Sequence, residues 1–212
     1  MAPRPFRRRM ECTAYCSCGY CCNWEWGLNV FPGRYLALLP RAPLLALRRA
    51  RPSGHAPGRK WQLLDKYWTA TPLRGEPYLG LTATETEPTQ ARRGLLHPTT
   101  WADPKRLLWR AVLPWRLLGR VGTVAADPEH LAFGTQLHVP GHGWCRVEDT
   151  GGDILGPTRL DLFYHSHADA LRWGRRTPEV LVVPPGASRV DRLPGPVRGV
   201  ARVADAVKHA LY

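Results

Sequence analysis

The fold of this chain is decided by residues 121–174, which read VGTVAADPEHLAFGTQLHVPGHGWCRVEDTGGDILGPTRLDLFYHSHADALRWG. Short runs within this stretch, and one just after it, are apolar or alternate between apolar and polar residues, which is typical of β-strands. These runs are 122–126, 133–139, 144–149, 159–164 and 180–183. Turns rich in glycine and proline separate them. Strands this short and this closely spaced predict a mainly β protein built as a compact barrel.

Two helices are predicted beside the strands. Ser166 and Asp169 form the S-x-x-D pattern of a helix N-terminus, and Gly174 can end the helix, so we predict a short helix over residues 168–173. After residue 184 the apolar side chains fall on one face of a C-terminal amphipathic helix. That helix either docks against the barrel or contacts a partner or a membrane surface.

The composition changes outside the predicted strands. Residues 1–10 form a basic N-terminal extension, the barrel domain spans 11–183, and a tail follows at 184–212. Two stretches rich in arginine, proline and leucine, at about 33–60 and 85–118, predict surface loops inserted into the barrel. We expect the first of them to be poorly ordered. One modest domain with appendages also agrees with the length of 212 residues.

Charge is distributed unevenly along the chain. The net charge is +13, yet six of the 17 acidic residues lie between positions 127 and 161, where the local charge is −4. A basic surplus with nine tryptophans is compatible with single-stranded nucleic-acid binding, but the arginines are concentrated in the insertions. A hydrophobic fraction of 44% excludes a wholly disordered chain, and no apolar run is long enough to span a membrane.

Three aspartates lie beside the turns of the acidic window: Asp127, Asp149 and Asp161. An aspartate at a turn commonly bonds the backbone two residues on, which is the structural interpretation of each one taken alone. If the three converge at one end of the barrel, like-charge repulsion and burial raise their pKa values. A carboxyl with a raised pKa can act as a general acid near neutral pH, so the alternative interpretation is an enzyme.

Several short motifs together resemble a known family. They are GTVAADP at 122–128, FGT at 133–135, EDTGG-x-I-x-G at 148–156, LDLF at 160–163, SH-x-x-A at 166–170 and WG at 173–174, with CTAYC-x-C-x-x-CC at 12–22 and LTAT at 81–84. These motifs are similar to the 3D domain, named for its three aspartates. That domain resembles the catalytic domain of membrane-bound lytic transglycosylase A and the stationary-phase survival proteins.

The resemblance implies a six-stranded double-psi β-barrel of the RlpA-like kind. It also implies a bacterial enzyme of cell-wall turnover that cleaves peptidoglycan between N-acetylmuramic acid and N-acetylglucosamine. One acid protonates the glycosidic oxygen, and the same group then takes the proton of the muramic acid C6 hydroxyl, which closes a 1,6-anhydro ring. A glycoside hydrolase instead needs a second carboxylate for water or for the sugar.

The resemblance also assigns roles to residues. Asp161 matches the acid/base, Asp149 the neighbour that tunes it, and Asp127 the third aspartate of the name. A further set is expected at or near the substrate groove: Thr13, Tyr15, Thr150, Gly151, Gly152 and His167. The backbone N–H groups of residues 150–152 are the expected donors to the sugar or to developing charge.

The chain departs from the family pattern in two of its motifs. Leu155 stands where members usually have lysine, which removes a cation that could touch the substrate. Thr84 and Glu85 stand where members usually have serine and glycine. Neither departure changes the three aspartates, so the expected reaction class is unaffected.

Five of the six cysteines lie between residues 12 and 22. Disulfides formed after export are the favoured interpretation, and free or redox-active thiols or a metal site are the alternatives. His167 is expected at the helix start, lining the groove, with a ligand role as the alternative. No metal or cofactor is assigned to the reaction.

The expected partner is the glycan strand of peptidoglycan, bound by a monomer in the cell envelope. Nucleic acid is not an expected partner. The basic residues 1–10 lead into no apolar segment, so no signal peptide is visible there. A noncatalytic barrel that binds cell-wall glycan is the alternative function, since a fold does not fix an activity.

Overall fold

The computed structural model describes residues 3–38, 45–51, 62–92 and 119–187. These residues are mainly β, and their strands form two sheets. In chain order the strands are β1 (Phe6–Arg9), β2 (Glu11–Tyr15), β3 (Trp24–Phe31), β4 (Arg34–Leu38), β5 (Leu45–Arg49), β6 (Leu64–Trp68), β7 (Gly122–Ala126), β8 (Gln136–Val139), β9 (Gly143–Asp149), β10 (Arg159–Phe163) and β11 (Glu179–Val183). The helix of the described residues, α1, is His167–Trp173.

The larger sheet has seven strands in the order β1-β11-β8-β9-β7-β10-β2 and curls into a half-barrel. Its concave side is filled by aliphatic side chains from most of these strands, among them Val124, Leu137, Val147, Leu162 and Val182, all fully buried. Alternation explains the arrangement, since in β8 and β9 every second residue is buried. The predicted mainly β class is therefore confirmed.

Two pairs of strands in this sheet are parallel, β10 with β2 and β7 with β9, and the remaining pairs are antiparallel. Parallel neighbours cannot be joined by a tight hairpin, so the connections must cross over the barrel. A register shift between Val124 and Ala125 places Ala125 opposite Asp149 of β9. The strand order places β7 between the two aspartate-bearing strands, β9 and β10.

The short helix predicted over residues 168–173 is confirmed, beginning one residue earlier at His167. Gly174 ends it with a positive φ of 66°, a conformation that favours glycine. Trp173 is buried on the barrel and donates its Nε1–H to the carbonyl of Cys12, 3.2 Å away. The helix is thereby fixed against β2.

The basic residues 6–9, predicted as part of an extension, form an edge strand of the larger sheet instead. β1 pairs with β11 in antiparallel register, and Met10 behind it is fully buried in the core. The sheet therefore has seven strands where six were predicted. β1 lies at an edge with four exposed side chains, which is why its residues read as a polar extension in the sequence.

The smaller sheet, in the order β5-β4-β3-β6, was not predicted. Two of its strands come from the stretch predicted to be a poorly ordered loop, and for residues 34–38 and 45–49 that prediction is wrong. Tyr35 and Tyr67 stack with ring centroids 3.8 Å apart over Gly27, where any Cβ would clash. Arg48 forms an ion pair with the buried Glu25 at 2.7 Å, so this arginine has a structural role within the smaller sheet.

Three predicted features lie outside the described residues: the end of the first insertion, residues 93–118 of the second insertion, and the C-terminal helix after residue 187. Within the described ranges, no helix has the length and apolar character needed to cross a membrane.

Candidate active site

Strand register builds the site as a row across four neighbouring strands. Asp161 of β10 is paired with Thr13 of β2 on one side and with Ala125 of β7 on the other. Ala125 is paired in turn with Asp149 of β9. Directly paired residues point to the same face of a sheet, so both carboxylates project from one face with the small alanine side chain between them.

The fold raises the pKa of the Asp161 carboxyl toward neutral pH. Burial is the main cause that raises its pKa to about 6, and the negative charge of Asp149 adds to the rise. The hydroxyl of Thr13 donates to Oδ1 at 2.8 Å and, with the charge of Arg159, opposes the rise. A carboxyl with these properties can both give and accept a proton near neutral pH.

Asp149 is held by three donors. The hydroxyl of Tyr15 donates to Oδ2 at 2.7 Å, and the backbone N–H groups of Ala83 and Thr150 donate to Oδ1 at 3.1 and 3.0 Å. Burial, and next the charge of Asp149, raise the pKa of Tyr15 above its ordinary value, so Tyr15 remains a donor. The contacts fix the orientation of the carboxylate that faces Asp161.

The two aspartates line a groove of about 520 Å³, a volume within the usual range of small-molecule sites. Aromatic side chains line it from several sides: Tyr15 and Phe163 from the larger sheet, and Trp68 and Tyr78 from the region of the smaller one. Aromatic faces with nearby polar groups are the usual lining of a site for an amphipathic ligand.

The glycine-rich turn after β9 also lines the groove, with Thr150, Gly151 and Gly152 all at its wall. The N–H of Thr150 is already donated to Asp149. That N–H is therefore already bonded within the protein, and the expected role of the turn as a donor to the sugar stays a prediction.

Asp127, predicted as the third site aspartate, is not part of the groove wall. Its Oδ2 accepts the N–H of Gly156 at 2.7 Å and lies 3.2 Å from Nδ1 of His130, while its Oδ1 accepts the N–H of Glu129 at 3.0 Å. These bonds, first that from Gly156, lower its pKa. Asp127 fastens two turns together, which is the structural interpretation that the sequence left open.

His167 does not lie on the groove wall either. Its Nδ1 lies 3.5 Å from the sulfurs of Cys18 and Cys21 and 3.7 Å from that of Cys16. All six cysteines are free thiols, so the favoured disulfide interpretation is not supported. Thr13, predicted near the groove, acts through its bond to Asp161.

Sequence reasoning missed the second wall of the groove. Trp68 and Tyr78 contact each other edge-to-face at 4.8 Å, and Trp24 stacks on Tyr78 at 5.7 Å. These aromatics follow or belong to strands of the smaller sheet, and the aromatic run at 65–72 was the available signal. It could not be assigned to a wall because two strands of the sheet that positions it lie in the stretch predicted to be a loop.

Comparison with known proteins bears on this site. Residues 122–184 match the family model described as the 3D domain. Two proteins of Bacillus subtilis (strain 168) are similar over 60 residues: YabE, provisionally named a cell wall shaping protein, at 33% identity, and the cell wall-binding protein YocH, at 38%. The similar segment is 28% of this chain but only 14% of YabE and 21% of YocH. The resemblance drawn from the sequence is therefore confirmed at the level of the match, since residues 122–184 of this chain match the model of the 3D domain.

Proposed function

We propose that this protein cleaves the glycan strand of peptidoglycan in the manner of a lytic transglycosylase, with Asp161 as general acid and base. One observation carries the proposal: a partly buried carboxyl with its pKa raised to about 6 faces an aromatic groove beside a second carboxylate. The cell-wall names of two relatives support the polymer as the substrate class. The two parallel strand pairs support a double-psi barrel as the underlying fold.

The reaction begins with the protonated form of Asp161. At pH 7 roughly one molecule in ten carries this proton, whereas at the ordinary pKa of 3.8 fewer than one in a thousand would. The proton passes to the oxygen between N-acetylmuramic acid and N-acetylglucosamine as the bond to the muramic acid C1 breaks. The departing sugar leaves with a free hydroxyl.

The second step uses the same carboxylate as a base. It takes the proton of the C6 hydroxyl of the muramic acid unit, whose oxygen bonds to C1 and closes the 1,6-anhydro ring. Asp161 is protonated again and no water is consumed. The negative charge of Asp149 stabilises positive charge that develops on the sugar ring, and Tyr15 keeps Asp149 in place.

A noncatalytic barrel that binds cell-wall glycan is the second candidate, because one relative is named a cell wall-binding protein. The aromatic groove serves both functions. The raised pKa of Asp161 favours the enzyme, because a binder gains nothing from burying a carboxyl at a cost in stability. Both candidates place a monomer outside the cytoplasm, in contact with the wall.

The test is digestion of purified sacculi by the full chain, with the soluble products identified by mass spectrometry. Wild type should release 1,6-anhydromuropeptides, and Asp161→Asn should lower the rate of release by at least about 10³-fold while leaving sacculus binding unchanged. Asp169→Asn is the matched control, since Asp169 lies on the exposed side of α1, paired with Arg172.

Three results would contradict the proposal. The first is full activity in Asp161→Asn. The second is a wild-type product with only reducing ends, which would indicate a hydrolase. The third is tight sacculus binding by wild type with no released product, which would favour the binding barrel.

A further inference from the structure

A cluster of three thiols and one imidazole lies beside the groove, and the proposed reaction does not use it. Cys16, Cys18 and Cys21 come from the loop after β2, and His167 is the first residue of α1. Their four ligand atoms all lie within 4.8 Å of one another. The cluster therefore joins two segments that are about 150 residues apart in the chain.

The separations match the edges of a metal-centred tetrahedron. A zinc ion about 2.3 Å from each sulfur and about 2.0 Å from nitrogen requires edges of roughly 3.8 Å between sulfurs and roughly 3.5 Å between sulfur and nitrogen. The sulfurs of Cys16 and Cys21 are 3.8 Å apart, and Nδ1 of His167 lies 3.5, 3.5 and 3.7 Å from the three sulfurs. A disulfide would need sulfurs about 2.05 Å apart, so this arrangement does not suit one.

The loop is also built as a metal-binding turn. Cys18 and Cys21 are spaced C-x-x-C, and the N–H of Cys22 donates to the carbonyl of Cys18 at 2.9 Å, which brings the two thiols to one side. The N–H of Trp24 closes the loop on the carbonyl of Gly19 at 3.3 Å. A paired C-x-x-C turn with two further ligands is the usual form of a zinc site.

We infer that Cys16, Cys18, Cys21 and His167 bind one zinc ion in a closed Cys₃His site. Thiolates and imidazole in a tetrahedron favour zinc over magnesium or calcium, which prefer oxygen ligands. Because all four positions are filled by the protein, the ion has no open position for water, and its role is structural.

The site has a consequence for the groove. Cys21 and Cys22 line the groove, and Tyr15, which bonds Asp149, directly precedes the ligand Cys16. Zinc would tie this wall to α1, which is itself held to β2 by Trp173. The ion would act as a positioning element for Tyr15 and the loop, with no contact to the reacting atoms.

The test is metal analysis of the purified full chain, kept reduced and dialysed, by inductively coupled plasma mass spectrometry. We expect about one zinc per chain in wild type, and less than about a tenth of that in Cys21→Ser and in His167→Ala. After exchange with cobalt(II), wild type should show the visible d–d bands of a tetrahedral thiolate site.

Two variants keep the test decisive if ligand removal unfolds the loop. Cys22→Ser is the matched control, because its sulfur bonds the carbonyl of Cys16 and is not one of the ligands. It should keep about one zinc. His167→Cys supplies a fourth thiolate and should also retain zinc, with an altered cobalt spectrum, whereas His167→Ala should not.

The inference is overturned if wild type binds no zinc under reducing conditions, or if Cys22→Ser loses as much zinc as Cys21→Ser. It is overturned equally if the protein purified without reductant contains a Cys16–Cys21 disulfide, seen as a mass lower by two hydrogens. That disulfide would have to persist after treatment with reductant and zinc. None of these results depends on activity toward sacculi, so the proposed function stands or falls separately.

Discussion

Asp161 in the groove and Asp127 at the turn after β7 belong to the same three-aspartate motif, yet their surroundings act in opposite directions. Asp161 receives one hydroxyl donor and faces a second carboxylate, and its pKa is raised. Asp127 receives two backbone N–H groups with an imidazole beside it, and its pKa is lowered. The carboxyl of Asp161 therefore keeps its proton up to a pH of about 6, whereas the carboxyl of Asp127 stays ionised to a lower pH than an ordinary aspartate.

Burial raises the pKa of Asp161, but the exposed fraction of the side chain does not by itself separate the two aspartates. Asp127 is only 8% exposed, less than Asp161, and yet it holds its charge more firmly. The two differ in the main influence on the pKa, which is burial at Asp161 and the N–H bonds from Gly156 and Glu129, which stabilise the ionised form, at Asp127. Of these two aspartates, Asp161 is therefore the one whose pKa suits a general acid.

The largest expected effect of this contrast is on the pH dependence of cleavage. Because the general acid must carry its proton, kcat/KM should fall about tenfold per pH unit above about 6, reaching roughly 100-fold by pH 8. The measurement is the initial rate of anhydromuropeptide release between pH 4.5 and pH 8. Asp149→Asn should move the alkaline limb to lower pH, since it removes a charge that raises the pKa of Asp161.

In the same profile Asp127→Asn should leave the position of the limb unchanged, because Asp127 does not line the groove. A limb that moves in Asp127→Asn and stays fixed in Asp149→Asn would reverse the assignment of the two aspartates.

A second expected effect is on stability. The folded state binds the Asp161 proton more tightly than the unfolded state, so the contribution is fully present below the unfolded pKa of about 3.8 and is lost as pH rises through about 6. Asp161→Asn lacks this loss and should gain about 2 kcal/mol relative to wild type between pH 4 and pH 7.5. Urea unfolding at the two pH values measures it.

The quantity compared is the difference in the free energy of unfolding between variant and wild type, and how that difference changes between the two pH values. The effects of other titrating groups then cancel. Asp169→Asn, on the exposed face of α1, should show little change across the same interval. An equal gain in that control would remove Asp161 as the cause.

Sequence predicted the larger sheet well, and the reason is physical. Alternating runs such as 144–149 have one buried and one open face, and glycine turns separate them, so local pattern and fold agree. The resemblance also placed Asp149 and Asp161 in one groove. Their register across Ala125 depends on a shift in β7 that no local pattern indicates.

The smaller sheet was missed because its strands carry arginine and its partner residues are distant. Arg48 of β5 pairs with the buried Glu25 of β3, a contact that the composition of the insertion conceals. Glu85 has a φ of 60°, a conformation that favours glycine, and nothing in the structure explains the glutamate at this position.

A smaller effect is expected from Tyr15→Phe, which removes the hydroxyl donor of Asp149 and keeps the ring. The free energy of unfolding should fall by about 1.5 kcal/mol, and kcat/KM should fall roughly tenfold as Asp149 loses its orientation. Tyr164→Phe is the matched control, because its hydroxyl bonds His142, 3.0 Å away, outside the groove. It should lose similar stability and retain kcat/KM, whereas equal loss of activity in both would assign Tyr15 a purely structural role.

The smallest expected effect, a fall of a few degrees in Tm, belongs to Asp127→Asn at neutral pH, since asparagine offers one acceptor oxygen where the turns use two. Because the folded pKa is lowered, the stabilisation by Asp127 is present above the unfolded pKa and is lost as pH falls through the folded value. The Tm difference should therefore shrink toward pH 2, whereas that of Asp161→Asn shrinks toward pH 4 and has the opposite sign at pH 7. Scanning calorimetry of the two variants across pH measures both trends. Parallel curves for the two variants would mean that donor number does not distinguish the two regions.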